Sequence, residues 1–224
     1  MNSLNECPCC LYTEKFVNYK SKFRDGRKYS EIVAETILNN LNKFDNIQTI
    51  TRQRSYKTEE HDGKATTGRN SSNSNRSEEY IAMSMFKLKY EYIGEVLDYQ
   101  IPIKNVRKDK VGKIDILSFN SITNVTYLLE LKAPKAKDTL LHCILEIYTY
   151  WKIVDKDKLR RDFDIDVHTD IRKAILVPYN NCNAFTDFLD KSNNQYAHQL
   201  MQKLKIDFFV FEMVNKNVQN IQKL

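Results

Sequence analysis

Asp115, Glu130 and Lys132 are the residues whose types and spacing point most clearly to chemistry in this chain. Asp115 interrupts the apolar run IDILS, Ile114 to Ser118, while Glu130 and Lys132 close a second such run that begins VTYLLEL at Val125. In an extended chain successive side chains alternate between faces. Asp115 therefore shares a face with Leu117, opposite Ile114 and Ile116, and Leu128, Glu130 and Lys132 share a face of their own strand. A turn of four residues, Ser121 to Asn124, pairs Asn120 with Val125. The same register sets Asp115 opposite Glu130, with Cβ atoms about 5 Å apart and an ammonium group one pleat further on. Two carboxylates so close repel and resist ionisation unless a cation lies between them. A hard divalent ion such as Mg²⁺ accepts one or two carboxylates and a carbonyl oxygen and keeps positions for phosphate oxygens. It would polarise a phosphodiester and lower the pKa of bound water, while Lys132 orients or deprotonates the nucleophile and offsets charge on the phosphate. The expected chemistry is phosphodiester hydrolysis.

The elements that must position these residues follow from periodicity. Ser30 reads as the N-cap of a helix carrying Ile32, Val33, Ile37, Leu38, Leu41 and Phe44, and Ile47 to Ile50 as a short strand. The stretch 57–76, rich in Ser, Asn, Gly and charge, reads as a mobile polar loop. Ser77 opens a helix with an acidic first turn and Ile81, Ala82 and Met85 on one face. Three strands follow, at Val96 to Ile103, Ile114 to Ser118 and Val125 to Leu131, an antiparallel meander. Asp138 is the expected cap of a densely apolar helix running to about Val154. A loop-like segment at 155–170, a strand at Ile171 to Pro178, helices at Ala184 to Ser192 and Gln195 to Leu204, and a strand at Ile206 to Val214 complete the order. This alternation predicts a single α/β domain over 1–224, with a central mixed sheet flanked by helices. Residues 1–56 form its N-terminal helical extension and 77–214 its core.

The run Ile114 to Pro134, IDILSFNSITNVTYLLELKAP, resembles the core of the PD-(D/E)XK nuclease superfamily. Asp115 matches the motif aspartate and Glu130-Leu131-Lys132 matches E-x-K, with the likeness extending from about Ser77 to Val154. The resemblance implies a restriction-endonuclease-like fold and a DNA-cleaving, metal-dependent activity. Mg²⁺, with Mn²⁺ as a substitute, would be held by Asp115, Glu130 and the carbonyl of Leu131. Related families often add a glutamate from the preceding helix. Glu78, at helical spacing from Ile81, Ala82 and Met85, faces inward and is favoured over Glu79. Where many members carry a glutamine in the following helix, this chain has Glu146. Homodimers are common in the superfamily, and a partner subunit supplying recognition is a further arrangement. The rival reading is a non-catalytic nucleic-acid-binding module that keeps the fold and the basic surface.

Lys104, Arg107, Lys108, Lys110 and Lys113 precede Asp115, and Lys135 and Lys137 follow the E-x-K strand, so both ends feed cations toward the site. Phosphate contacts from them would position DNA without specifying sequence. Tyr148, Tyr150 and Trp151 fall at helical spacing and read as core. With 35 Lys and Arg against 29 Asp and Glu, the net charge of +6 permits an anionic partner without demanding one. In 224 residues with 42% hydrophobic content there is no apolar run near the roughly 20 residues a bilayer demands, which argues against a membrane protein. The opening MNSLNECPCCLYTEK has no signal-peptide pattern, and a cytoplasmic location is expected. Five cysteines in such a chain suggest free thiols, and the C-x-C-C of Cys7, Cys9 and Cys10 is not a standard zinc spacing. The chain also lacks a Gly-rich phosphate loop and a G-x-S-x-G elbow, which leaves kinase, dinucleotide and serine-hydrolase readings unsupported.

Overall fold

The structure, a computed structural model, describes residues 8–58, 61, 77–103 and 112–224. Most of the 57–76 stretch lies outside them, as do Cys7, Lys104, Arg107, Lys108 and Lys110. The chain forms a seven-stranded mixed sheet in sequential order: β1 Lys89–Tyr90, β2 Gly94–Pro102, β3 Lys113–Asn120, β4 Val125–Leu131, β5 Asp170–Pro178, β6 Ile206–Val214 and β7 Asn217–Lys223. The first four strands run antiparallel to their neighbours, β4–β5 and β5–β6 are parallel, and β6–β7 is antiparallel. Parallel pairs need crossovers, and the helices supply them: α3 Leu140–Ile153 and α4 Lys156–Asp162 after β4, α5 Asn183–Leu189 and α6 Gln195–Lys203 after β5. α1 Tyr29–Leu38 packs beside α6, and α2 Ser77–Ser84 leads into β1.

Alternation splits the core in two. Val125, Tyr127, Leu129 and Leu131 of β4 join Ile81 and Ala82 of α2, and Met85 just after it, on one face, whereas Leu128 joins α3, α5, α6 and the N-terminal segment on the other. Gly94 makes the β1–β2 turn possible: its φ is +77° and a Cβ there would lie 2.0 Å from the Phe119 carbonyl oxygen. No helix among the described residues is long and apolar enough to cross a membrane.

Several local expectations change. The first helix begins at Tyr29 with no side-chain cap, and Ser30 is buried inside it. It stops at Leu38, and Phe44 reaches the core from a 3-10 turn, Leu41–Asn46. Ile47 to Ile50 contributes one bridge, Ile50 to Val154, rather than a strand. Thr139, not Asp138, caps α3, accepting from the His142 amide at 3.2 Å. The 155–170 segment contains α4, capped by Asp155 accepting from the Lys158 amide. Ile114 packs with the α3-side cluster rather than with Ile116, where β2 beside it turns through Gln100 at φ 49°. β7 carries the sheet beyond 214. Its buried Val218 and Ile221 are three apart, so no two-residue alternation announces it. Cys9 is disulfide-bonded, which corrects the expectation of free thiols there, while Cys10, Cys143 and Cys182 are free.

Candidate active site

The hairpin of β3 and β4 carries the register expected from its turn, with Asn120 paired to Val125 and Ile116 to Leu129. Carried one residue further, it sets Asp115 opposite Glu130 on the face covered by α3. Asp115 is held on both oxygens: Oδ2 accepts from the Leu131 amide and Oδ1 from Gln100 Nε2, each at 2.9 Å. Glu130 and Lys132 are 2% and 5% exposed, and Lys132 Nζ donates to Glu130 Oε1 at 2.5 Å. From α3, Glu146 reaches the same ammonium, with Oε2 at 3.3 Å. Glu78 arrives from the start of α2 and accepts from the Ala133 amide at 3.3 Å, just beyond the E-x-K strand. Its inward projection, expected from helical spacing, puts it within electrostatic reach of Lys132.

Four acids thus surround one lysine. Burial is the main force on Asp115 and, with Glu146 and Glu78 nearby, lifts it to about 7 against the pull of Lys132. Burial and Glu146 push Glu130 well above the usual carboxylate range. Glu78 is also raised, chiefly by burial. Burial would raise Glu146 too, but Lys132 outweighs it and, with the Tyr150 hydroxyl, holds it down to about 2. For Lys132 burial works against the ammonium, but Glu130, Glu146 and Glu78 outweigh it and keep the group firmly protonated.

Residues that motif reasoning missed complete the site. Tyr150 donates to Glu146 Oε1 at 2.9 Å, one helical turn on. Tyr12, from the N-terminal segment, packs edge-on to the Tyr150 ring with centroids 5.4 Å apart. Tyr12 also bonds the backbone of Gly112, where a Cβ would come within 1.9 Å of the Tyr150 hydroxyl oxygen. A chain of contacts therefore runs from the N-terminal segment through two phenols to Glu146, Lys132 and Glu130. Gln100 had a readable signal: with Asp98 it breaks an apolar strand in the same way as Asp115. Tyr150 had none, since at its spacing a core role looks the same.

Among the expected basic contacts, Lys113 stands exposed at the start of β3, and Lys135 and Lys137 are exposed in the connection after β4. Lys135 adopts φ 67° and its amide donates to the Asn181 carbonyl at 2.6 Å, which ties this connection to the loop after β5.

Asp115, Glu130, Glu146 and Glu78 offer hard oxygen ligands of the kind a divalent cation takes. Among the described residues no three carboxylate, imidazole or thiolate groups converge as a ready-made metal site. The acids are instead engaged by Lys132, Gln100, Tyr150 and backbone amides. The fold and site define an α/β protein with a buried carboxylate–lysine cluster at the end of a mixed sheet. No family model, curated protein or solved structure matches the chain.

Proposed function

We propose that this protein is a metal-dependent nuclease of restriction-endonuclease-like fold that hydrolyses DNA phosphodiester bonds. The observation that carries the reading is that Asp115 accepts from the Leu131 amide, between Glu130 and Lys132, while Lys132 bonds to Glu130. Asp115, Glu130 and the carbonyl of Leu131 would hold Mg²⁺ or Mn²⁺, and Glu78 would extend the acidic set. Bound there, the cation would supply Lewis-acid polarisation of the phosphoryl group and a more acidic water. The chain's own residues provide the rest. Lys132, kept protonated by its acidic neighbours, acts as a cation: it orients the attacking water and offsets charge on the phosphate rather than removing a proton. Asp115 must be ionised to hold the cation, so its tendency to keep a proton in the metal-free site sets the pH at which the site can load. Glu146, tied to Tyr150, holds the Lys132 ammonium between itself and Glu130. Lys113, Lys135 and Lys137 lie on the rim, where phosphate contacts would guide DNA in.

The test is cleavage of supercoiled plasmid and of single-stranded DNA with Mg²⁺ or Mn²⁺ against EDTA, for the parent, Asp115→Asn and Lys132→Ala proteins. Metal-dependent cutting by the parent, lost in both variants, is the expected result. Cutting that survives in both variants overturns the residue roles. Absence of cutting by the parent, with DNA binding indifferent to Mg²⁺, replaces the reading by a non-catalytic binding module.

A further inference from the structure

The three parallel strands β4, β5 and β6 end at one edge of the sheet. In open α/β sheets the crevice outside the carboxyl ends of the strands is where ligands gather. A groove of about 370 Å³ lies there, within the roughly 300–1,000 Å³ of small-ligand sites. All three strand ends line it: Pro134 after β4, Pro178, Tyr179 and Asn181 at the end of β5, and Phe211 and Met213 of β6. Phe211 is fully buried, whereas Tyr179 is 53% exposed. Hydrogen bonds tie the walls together. The Tyr179 amide donates to the Phe211 carbonyl at 2.8 Å, and the Lys135 amide to the Asn181 carbonyl at 2.6 Å. The Tyr179 ring leans on Phe185 of α5, with centroids 5.2 Å apart.

The groove adjoins the candidate catalytic strand. The Lys132 amide donates to the Leu176 carbonyl at 3.0 Å, and Pro178 lies two residues beyond Leu176, about 7 Å along β5. That distance is about two nucleotide steps of a stacked strand. The lining suits a base better than a phosphate. Its aromatic and apolar side chains offer a surface on which the flat face of a base stacks, whatever its sequence. The exposed Asn181 side chain has no hydrogen-bond partner among the described residues, and its amide offers two donors and an acceptor to a base edge. Glu212 also lines the groove, where its carboxylate repels a phosphate but accepts from the amino group of a base. Cations stand outside: Lys135 next to Pro134, and Lys216 in the turn after β6, are both exposed, where flanking phosphates would lie. A paired duplex keeps its base faces stacked, so only an unpaired strand can fill such a groove.

We infer that this groove holds one unstacked base of a DNA strand, which makes single-stranded or locally unpaired DNA the substrate of the adjoining acidic site. The reaction at that site rests on the nuclease reading, whereas the base site draws on none of the four acids.

The experiment is an anisotropy titration of the full chain with a labelled short single-stranded oligodeoxynucleotide and with the matching blunt duplex. It is run in Ca²⁺ and again in EDTA, for the parent, Tyr179→Ala and Tyr179→Phe, with far-UV circular dichroism as the check of folding. The parent should bind the single strand at least about tenfold more tightly than the duplex. Tyr179→Ala should weaken single-strand binding by about five- to a hundredfold, the range of one base stack, and leave duplex binding unchanged. Tyr179→Phe, which keeps the ring, should stay within about twofold of the parent. Absence of single-strand binding in both conditions, equal or tighter binding of the duplex, or unchanged affinity in Tyr179→Ala overturns the proposal. Should Tyr179→Ala lose its fold, Val214→Glu decides: Val214 lines the groove and is 46% exposed, and a carboxylate there should weaken single-strand binding at least about fivefold. Cleavage by the same proteins in Mg²⁺ separates the two readings. A parent that cuts while Tyr179→Ala binds and cuts equally well overturns the base site and keeps the nuclease. A parent that binds through Tyr179 and never cuts overturns the nuclease and keeps the base site.

Discussion

Replacing Asp115 by Asn should make the metal-free protein more stable in neutral and alkaline solution, and the gain should grow with pH. In the unfolded chain this carboxyl titrates near 3.8, whereas in the folded protein it titrates at about 7. Between those values the native state holds a proton that the unfolded state has released, so stability falls as pH rises through this window. Below about pH 4 both states are protonated and there is no penalty. Above about pH 7 the penalty is complete, on the order of 4 kcal/mol at 1.36 kcal/mol per pKa unit. Asparagine removes that titration. Its hydrogen-bond cost is small: Asn Oδ1 can keep the Leu131 amide, and its NH₂ can donate to Gln100 once the Gln100 side-chain amide turns over. That leaves a pH-independent change of about 1 kcal/mol. Urea unfolding of parent and variant in EDTA, at intervals from pH 4.5 to pH 8.5, measures the difference curve. It should start near zero and climb by roughly 2–4 kcal/mol toward pH 8 in favour of the variant. A difference flat to within about 1 kcal/mol over that range would refute the argument that burial, not the neighbouring lysine, dominates Asp115.

The same cluster predicts further outcomes. Binding of Mg²⁺, read by calorimetry, should strengthen by at least about tenfold per pH unit between pH 5 and pH 7, since Asp115 and Glu130 must give up their protons. Lys132→Met strips the acids of their cation and should cost about 3–5 kcal/mol at pH 8 in urea unfolding, with much of the loss recovered near pH 5 as the acids take protons. Tyr150→Phe removes the donor to Glu146 at 2.9 Å without changing shape. It should cost about 1.5–3 kcal/mol and shift the acid limb of any cleavage profile to higher pH as Glu146 loses a bond to its charged form. Gly112→Ala drives a Cβ into the Tyr150 hydroxyl. Its effect should fall short of additive with Tyr150→Phe, giving a coupling of about 1 kcal/mol in a double-mutant cycle.

Much of the site was legible because polar groups in apolar strands are expensive and therefore conspicuous. Asp115 and Glu130 announced themselves this way, and the short turn between their strands set the register that brings them opposite. Gln100 carried the same signal more weakly, an amide being a smaller anomaly than a charge. Glu146 fell at a position the family resemblance marked, with its role open. The structure shows it gripping Lys132 from α3 and being gripped in turn by Tyr150.

Local pattern alone determined the meander, the densely apolar α3, the alternation that divides β4 between two cores, and the hairpin register from Asn120 and Val125 to Ile116 and Leu129. Each rests on contacts between residues close in the chain, where periodicity and turn length leave few alternatives. Only the tertiary structure decided the rest. Tyr12 meets Tyr150, Glu78 meets the Ala133 amide and Lys173 meets Trp151 across long stretches of chain, and no periodicity specifies such meetings. The protonation of the site belongs to this second group. Whether an aspartate titrates near 4 or near 7 depends on how much water its neighbours exclude and how many charges they bring, and both are set only when sheet and helices close over it.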